Sequence, residues 1–69
     1  MSSITVVANG DAVELPPGAT LVDLLDHLGL GAKWVVAERN GDAVDRVDMP
    51  VTVLADGDRI ELVRAVAGG

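Results

Sequence analysis

Ile4-Thr5-Val6-Val7-Ala8-Asn9-Gly10-Asp11-Ala12-Val13-Glu14-Leu15 is the stretch on which the fold turns. Its first five residues are β-branched or small and apolar, and they suit a pleated, half-buried surface. Asn9-Gly10 follows at once. Asn-Gly is the strongest short-range hairpin signal, because both central positions of a type I′ turn need positive φ. Residues 12–15 alternate as a returning strand should, and Pro16-Pro17-Gly18 then ends it, since proline has no N–H to give to a ladder. The reading is a β-hairpin.

Directly after it, Thr20 is placed to cap a helix. Its hydroxyl can accept from the backbone N–H of Asp23, whose carboxylate can reach back. Leu21, Leu24, Leu25 and Leu28 fall at i, i+3, i+4 and i+7, a single apolar stripe, while Asp23, Asp26 and His27 point the other way. Gly29 supplies a left-handed C-terminal cap, and His27 lies in the last turn, where positive charge is favoured. The helix has one face to bury.

Residues 34–38 form a second apolar, β-branched run, again ending in Asn-Gly (Asn40-Gly41), with residues 42–44 returning as a short strand. Residues 45–50 read as polar and irregular. Residues 51–54 lead to Asp56-Gly57-Asp58, a turn in which glycine supplies positive φ. A last strand over residues 59–66 puts Ile60 and Leu62 on one face and Glu61 and Val63 on the other. The fold class is α+β: a mixed four- to five-stranded sheet with one helix packed across one face, which buries the leucine stripe most economically. With the helix joining the second and third strands and the last strand returning beside the first, the layout is a β-grasp (ubiquitin-like) roll. Residues 1–66 make a single domain and residues 67–69 a Gly-Gly tail.

Composition excludes whole classes of function. Sixty-nine residues hold one core. Eleven acidic against five basic side chains give a net charge of −6, which repels phosphate backbones and argues against nucleic acid. The single aromatic residue, Trp34, cannot make a base-stacking platform. Anionic membrane surfaces are disfavoured, no apolar run approaches the ~18 residues of a span, and the N-terminus lacks a secretory pattern. The expected location is the cytoplasm. With no cysteine there is no disulfide, thiolate metal site or cysteine nucleophile. An acidic surface does suit docking to a basic face of a partner protein.

No internal constellation carries chemistry. Asp23 and Asp26 read as capping and solubility, and His27, the only histidine, as a solvated helix-end residue. Asp56 and Asp58 flank a turn glycine without the regular oxygen ligands of a calcium loop. Ser2, Ser3, Thr5, Thr20 and Thr52 have no histidine placed to activate them. Trp34, at the start of a strand, reads as an edge-packing residue. The end of the chain differs. Gly68-Gly69 is thin and permissive in φ/ψ, so it can thread a narrow channel and let a backbone approach closely. A frayed end would look the same in isolation; after a β-grasp strand it reads as functional.

Over nearly its full length the chain resembles the ThiS/MoaD-like family of β-grasp sulfur carriers. The resemblance rests on Val-x-x-Asn-Gly at Val6 to Gly10, the Thr20 helix with Leu24-Leu25, and Ala37-Glu38-Arg39-Asn40-Gly41. It continues through Val44 and Arg46, Asp56-Gly57-Asp58-Arg59-Ile60-Glu61, and the closing Val66-Ala67-Gly68-Gly69. The Asp-Gly-Asp turn with the terminal Gly-Gly is its most specific part. The bulky aromatics frequent in such proteins near Val63 and Met49 are missing. The resemblance implies a protein cosubstrate, not an enzyme, with no bound cofactor or metal and monomeric when free. A ThiF-like adenylyltransferase would use ATP and Mg to activate the Gly69 carboxylate. A persulfide sulfur donor would convert it to a thiocarboxylate, and a ThiG-like thiazole synthase would take the sulfur for thiamine biosynthesis. Strand alternation then makes Val63 and Ala65, with Arg59 and Arg64 and the neighbouring Val66 and Ala67, the partner-docking strip leading to Gly68 and Gly69. Alternatives are a carrier for molybdopterin, tRNA thiolation or cysteine synthesis, a ubiquitin-like modifier conjugated through Gly69, or a plain binding module. Lys33, the single lysine, argues against long self-linked chains.

Overall fold

The computed structural model describes residues 2–64. β1 (Ile4–Ala8) and β2 (Asp11–Leu15) pair antiparallel from Ile4↔Leu15 to Ala8↔Asp11. The turn between them has φ of 50° at Asn9 and 86° at Gly10, as a type I′ turn requires. The second Asn-Gly repeats the geometry, with 51° at Asn40 and 89° at Gly41, and joins β3 (Val35–Arg39) to β4 (Asp42–Val44). β5 (Arg59–Arg64) lies between the two hairpins. The strand order is β2-β1-β5-β3-β4, with β5 parallel to β1 and antiparallel to β3. Five strands and one helix give the β-grasp fold.

The helix α1 (Leu21–His27) begins as its sequence predicts. Thr20 Oγ1 accepts from the Asp23 N–H at 3.2 Å, and Asp23 Oδ2 accepts from the Thr20 N–H at 2.8 Å. It ends in a Schellman motif: Leu30 N–H donates to Leu25 O at 2.8 Å and Gly29 N–H to Asp26 O at 3.1 Å, with φ of +72° at Gly29. Leu21, Leu24 and Leu25 are buried. Leu28, expected on the same stripe, is 38% exposed. The chain reverses at Gly29 before Leu28 can reach the core, and Leu30 packs against the core in its place. These leucines meet Val6, Ala8, Val13, Leu15, Val35, Ala37, Ile60 and Leu62 from the inner sheet face in one cluster.

Two other expectations change, and a third falls outside the described residues. Residues 46–51 form a 3-10 helix, Arg46–Val51, not an irregular polar stretch, and it carries Met49 fully into the core. A single buried side chain in so short an element, beside the exposed Val47 and Val51, leaves no periodicity to detect. Trp34 ends a 3-10 turn, Ala32–Trp34, rather than starting β3, and it is half exposed. The last strand is described to Arg64; its expected continuation through Ala65 and Val66 lies outside the described residues, as does the tail.

The Asp56-Gly57-Asp58 turn is strapped into the body of the protein. Asp56 Oδ1 accepts from Thr5 N–H at 2.8 Å, and Gly57 N–H donates to Thr5 O at 2.8 Å. Asp58 is buried, and its carboxylate accepts from Arg39 Nε (2.9 Å), Asn40 Nδ2 (3.0 Å) and Ala55 N–H (2.8 Å). Both acids bind protein donors, and among the described residues no three metal-ligating side chains come together. Burial pushes the Asp58 carboxyl up, but the Ala55 N–H, the Asn40 amide and the Arg39 guanidinium outweigh it and hold the group below its ordinary value. A lowered folded value means that Asp58 stabilises the fold above the unfolded carboxylate range. That contribution is lost as pH falls through the folded value.

Two outcomes follow for stability. Leu24→Ala removes a fully buried side chain and lowers the unfolding free energy by about 3 kcal/mol in urea titration. Asp58→Asn costs about 1–3 kcal/mol at neutral pH, and its deficit against the wild type shrinks as the titration is repeated below about pH 4.

Candidate functional site

β5 holds the described part of the site, and its alternation sorts the side chains. Ile60 and Leu62 face the helix and are buried. Arg59, Glu61 and Val63 stand on the open sheet face. Val63 is 63% exposed and pairs across the ladder with Val36, 55% exposed, so the two valines form an apolar spot beside the outgoing chain. One rung back, Glu38 pairs with Glu61, two like charges directly opposite one another on the same face. The sequence reading finds Val63 and Arg59 and puts Glu61 on the Val63 face, but misses Val36 and Glu38. Their part in the face depends on the β3–β5 register, which no local pattern specifies.

Arg64 has the opposite parity to Val63. It joins Gly29, Leu30, Gly31, Trp34 and Val35 around a hollow on the helix side of the strand end. The expected strip is therefore divided: Arg59 and Val63 share the open face, and Arg64 stands on the other. Lys33 Nζ sits 5.3 Å from the centroid of the Trp34 ring, a cation–π contact. Ala65, Val66, Ala67, Gly68 and Gly69 lie outside the described residues. His27, Asp23 and Asp26 sit on the exposed side of α1, where the sequence reading puts them.

Both Asn-Gly turns reach β5 with their side chains. At the start of the strand, Asn40 Oδ1 accepts from Arg59 N–H at 2.9 Å and the Asn40 N–H donates to Arg59 O at 2.7 Å. Nearer its end, Asn9 Nδ2 donates to Leu62 O at 3.0 Å and Asn9 Oδ1 accepts from Leu62 N–H at 2.8 Å. The strand that leads to the tail is thus pinned at two places by carboxamides from opposite hairpins. Among the described residues no helix is long and apolar enough to cross a membrane.

Known proteins share this build. A crystal structure of the thiamine biosynthesis protein ThiS from Geobacter metallireducens superposes with a TM-score of 0.76 at 28% identity, over 96% of this chain and all of that one. A solution structure of a thiamine biosynthesis protein from the same organism gives the same score and identity, over 88% of its own length. A protein of Paramagnetospirillum magneticum (strain ATCC 700264 / AMB-1) named thiazole synthase is 31% identical over 64 residues, 93% of this chain. The chain spans only a fifth of that protein's length. The family model described as the ThiS family matches residues 4–69, which takes in both hairpins, the helix, β5 and the closing glycines. On that match, and on a sheet order and helix that agree with it, the chain belongs to the ThiS family.

Proposed function

We propose that this protein is a sulfur carrier for thiazole formation in thiamine biosynthesis, with the Gly69 carboxyl group as the point of attachment. The observation that carries the reading is the family match running through Gly68-Gly69, behind a strand held firmly in the centre of the sheet. A carboxylate oxygen is a poor leaving group, so activation comes first. In a ThiF-like partner, a Gly69 carboxylate oxygen attacks the α-phosphorus of Mg-bound ATP; pyrophosphate leaves and an acyl-adenylate forms. The terminal sulfur of a partner's persulfide then attacks the acyl carbon and AMP leaves. A partner thiol cleaves the resulting acyl disulfide, leaving a thiocarboxylate on Gly69 and a disulfide on the donor. Beyond the Gly69 carboxylate that attacks the α-phosphorus, the catalytic groups come from the partners, and the chain acts as cosubstrate. Having no cysteine, it offers no internal thiol to capture the activated acyl group.

The acceptor is inferred from the relative named thiazole synthase. A segment similar to this chain makes up a fifth of that polypeptide, and joining a carrier to its acceptor raises their effective concentration. A ThiG-like enzyme fills that role here, in the cytoplasm. Val63 and Val36 form the centre of the docking face, and Arg59, Glu38 and Glu61 its charged margin.

Incubation with ATP-Mg, a ThiF-like enzyme and a persulfide source replaces one C-terminal oxygen by sulfur, read by intact mass. Removal of Gly68 and Gly69 abolishes that change, and a chain that gains no sulfur under these conditions sinks the assignment. Val63→Asp stays folded by circular dichroism but lowers the kcat/KM of adenylation about tenfold, because a charge enters the apolar centre of the interface.

A further inference from the structure

Asn9 does more than its turn needs. Type I′ turns accept glycine or aspartate at this position as well, so the turn does not explain the carboxamide. Its two bonds to Leu62 do. β1 pairs with β5 only at Val7↔Arg59 and Ala8↔Ile60, with Val7 N–H donating to Asp58 O at 2.8 Å and Asn9 N–H to Ile60 O at 2.9 Å. At Asn9 the backbone turns away with φ of 50°. The next rung needs one acceptor for Leu62 N–H and one donor for Leu62 O. A carboxamide has the same donor and acceptor as a peptide unit, and Asn9 supplies both, at 2.8 and 3.0 Å. The pair of bonds also fixes which way the amide points, since the flipped amide would set donor against donor.

We infer that Asn9 is a positioning residue for the carboxyl terminus: its side chain continues the β1 ladder to Leu62 and so fixes the direction in which the chain leaves the sheet. The inference rests on the sulfur-carrier reading. Val63 and Arg64 still pair with Val36 and Val35 of β3, and five residues follow Arg64, with a maximum reach of about 17 Å. A tilt of about 20° at the end of the ladder displaces the end of an arm that long by about 6 Å. Errors far smaller than that cost rate in a partner's active site. Asn40 holds the same strand, but at Arg59, three residues earlier and at the end remote from the tail.

The test compares Asn9→Gly with Asn40→Gly, the same substitution in the same kind of turn, in the full chain. Three quantities are measured for each: exchange of the Leu62 amide proton by NMR, Kd for a ThiF-like enzyme without ATP, and the saturating rate of pyrophosphate release. Asn9→Gly speeds Leu62 exchange and lowers the saturating rate about tenfold, with Kd changed less than about twofold. Asn40→Gly lowers unfolding stability and leaves the saturating rate near wild type. Asn9→Asp keeps the acceptor but sets a carboxylate oxygen against Leu62 O, so its rate falls between wild type and Asn9→Gly. If Asn9→Gly is too unstable to assay, Asn9→Asp decides the matter by its rate alone. An Asn9 variant with fast Leu62 exchange and a wild-type rate overturns the inference, and so do equal rate losses from Asn9→Gly and Asn40→Gly. Failure of the wild type itself to release pyrophosphate removes the carrier reading and this inference with it.

Discussion

The pairing of β5 with β1 is the constraint from which the rest follows. It joins residues up to 53 positions apart in sequence, as in the bonds between Asn9 and Leu62. The rung is therefore made only when both hairpins and the helix between them are in place. Loop closure over such a span is costly, and the protein meets that cost with a cluster rather than a single contact. Asp56 and Gly57 bind Thr5, Asp58 O binds Val7, and Leu54 N–H and Leu21 N–H exchange bonds with Ala19 and Thr52. Folding should accordingly be slower than for a helical chain of this size, since long-range pairing dominates.

Local chemistry explains what the sequence discloses. Both hairpins are legible because positive φ at Asn9-Gly10 and Asn40-Gly41 is a demand on residue type. The helix is legible because Thr20, Asp23 and the leucine spacing are written within nine consecutive positions. Met49 is hidden because a 3-10 helix of two turns buries one side chain and shows no repeat. Asp58 reads only as a residue flanking a turn glycine, since the partners that bury it, Arg39 and Asn40, lie 18 or 19 positions away. Leu28 fails the pattern because the Schellman motif passes its place to Leu30. For the open face, Val63 and Glu61 are readable from alternation along β5, while Gly69 lies outside the described residues. The companions Val36 and Glu38 need a register that only the tertiary structure supplies.

In the proposed role, with the cargo on the backbone terminus, a carrier has little use for a pocket, and the side chains serve the fold. The two edge strands give little purchase for stray pairing: β4 is three residues long, and β2 carries Asp11 and Glu14 and runs into Pro16. The buried polar network around Asp58 has donors for its carboxylate oxygens, and among the described residues no buried side-chain polar atom lacks a partner. Rigidity is thus concentrated around β5, at its start by Asn40 and Asp58 and toward its end by Asn9.

The opposed Glu38 and Glu61 make this carrier respond to ionic strength in two directions at once. Their repulsion across the rung weakens the free protein, and added electrolyte screens it over a Debye length of about 8–10 Å. The same screening diminishes the pull of these two carboxylates on a cationic partner surface. Concentrated salt therefore favours the isolated domain while loosening the proposed docking to a cationic partner, and dilute buffer does the reverse.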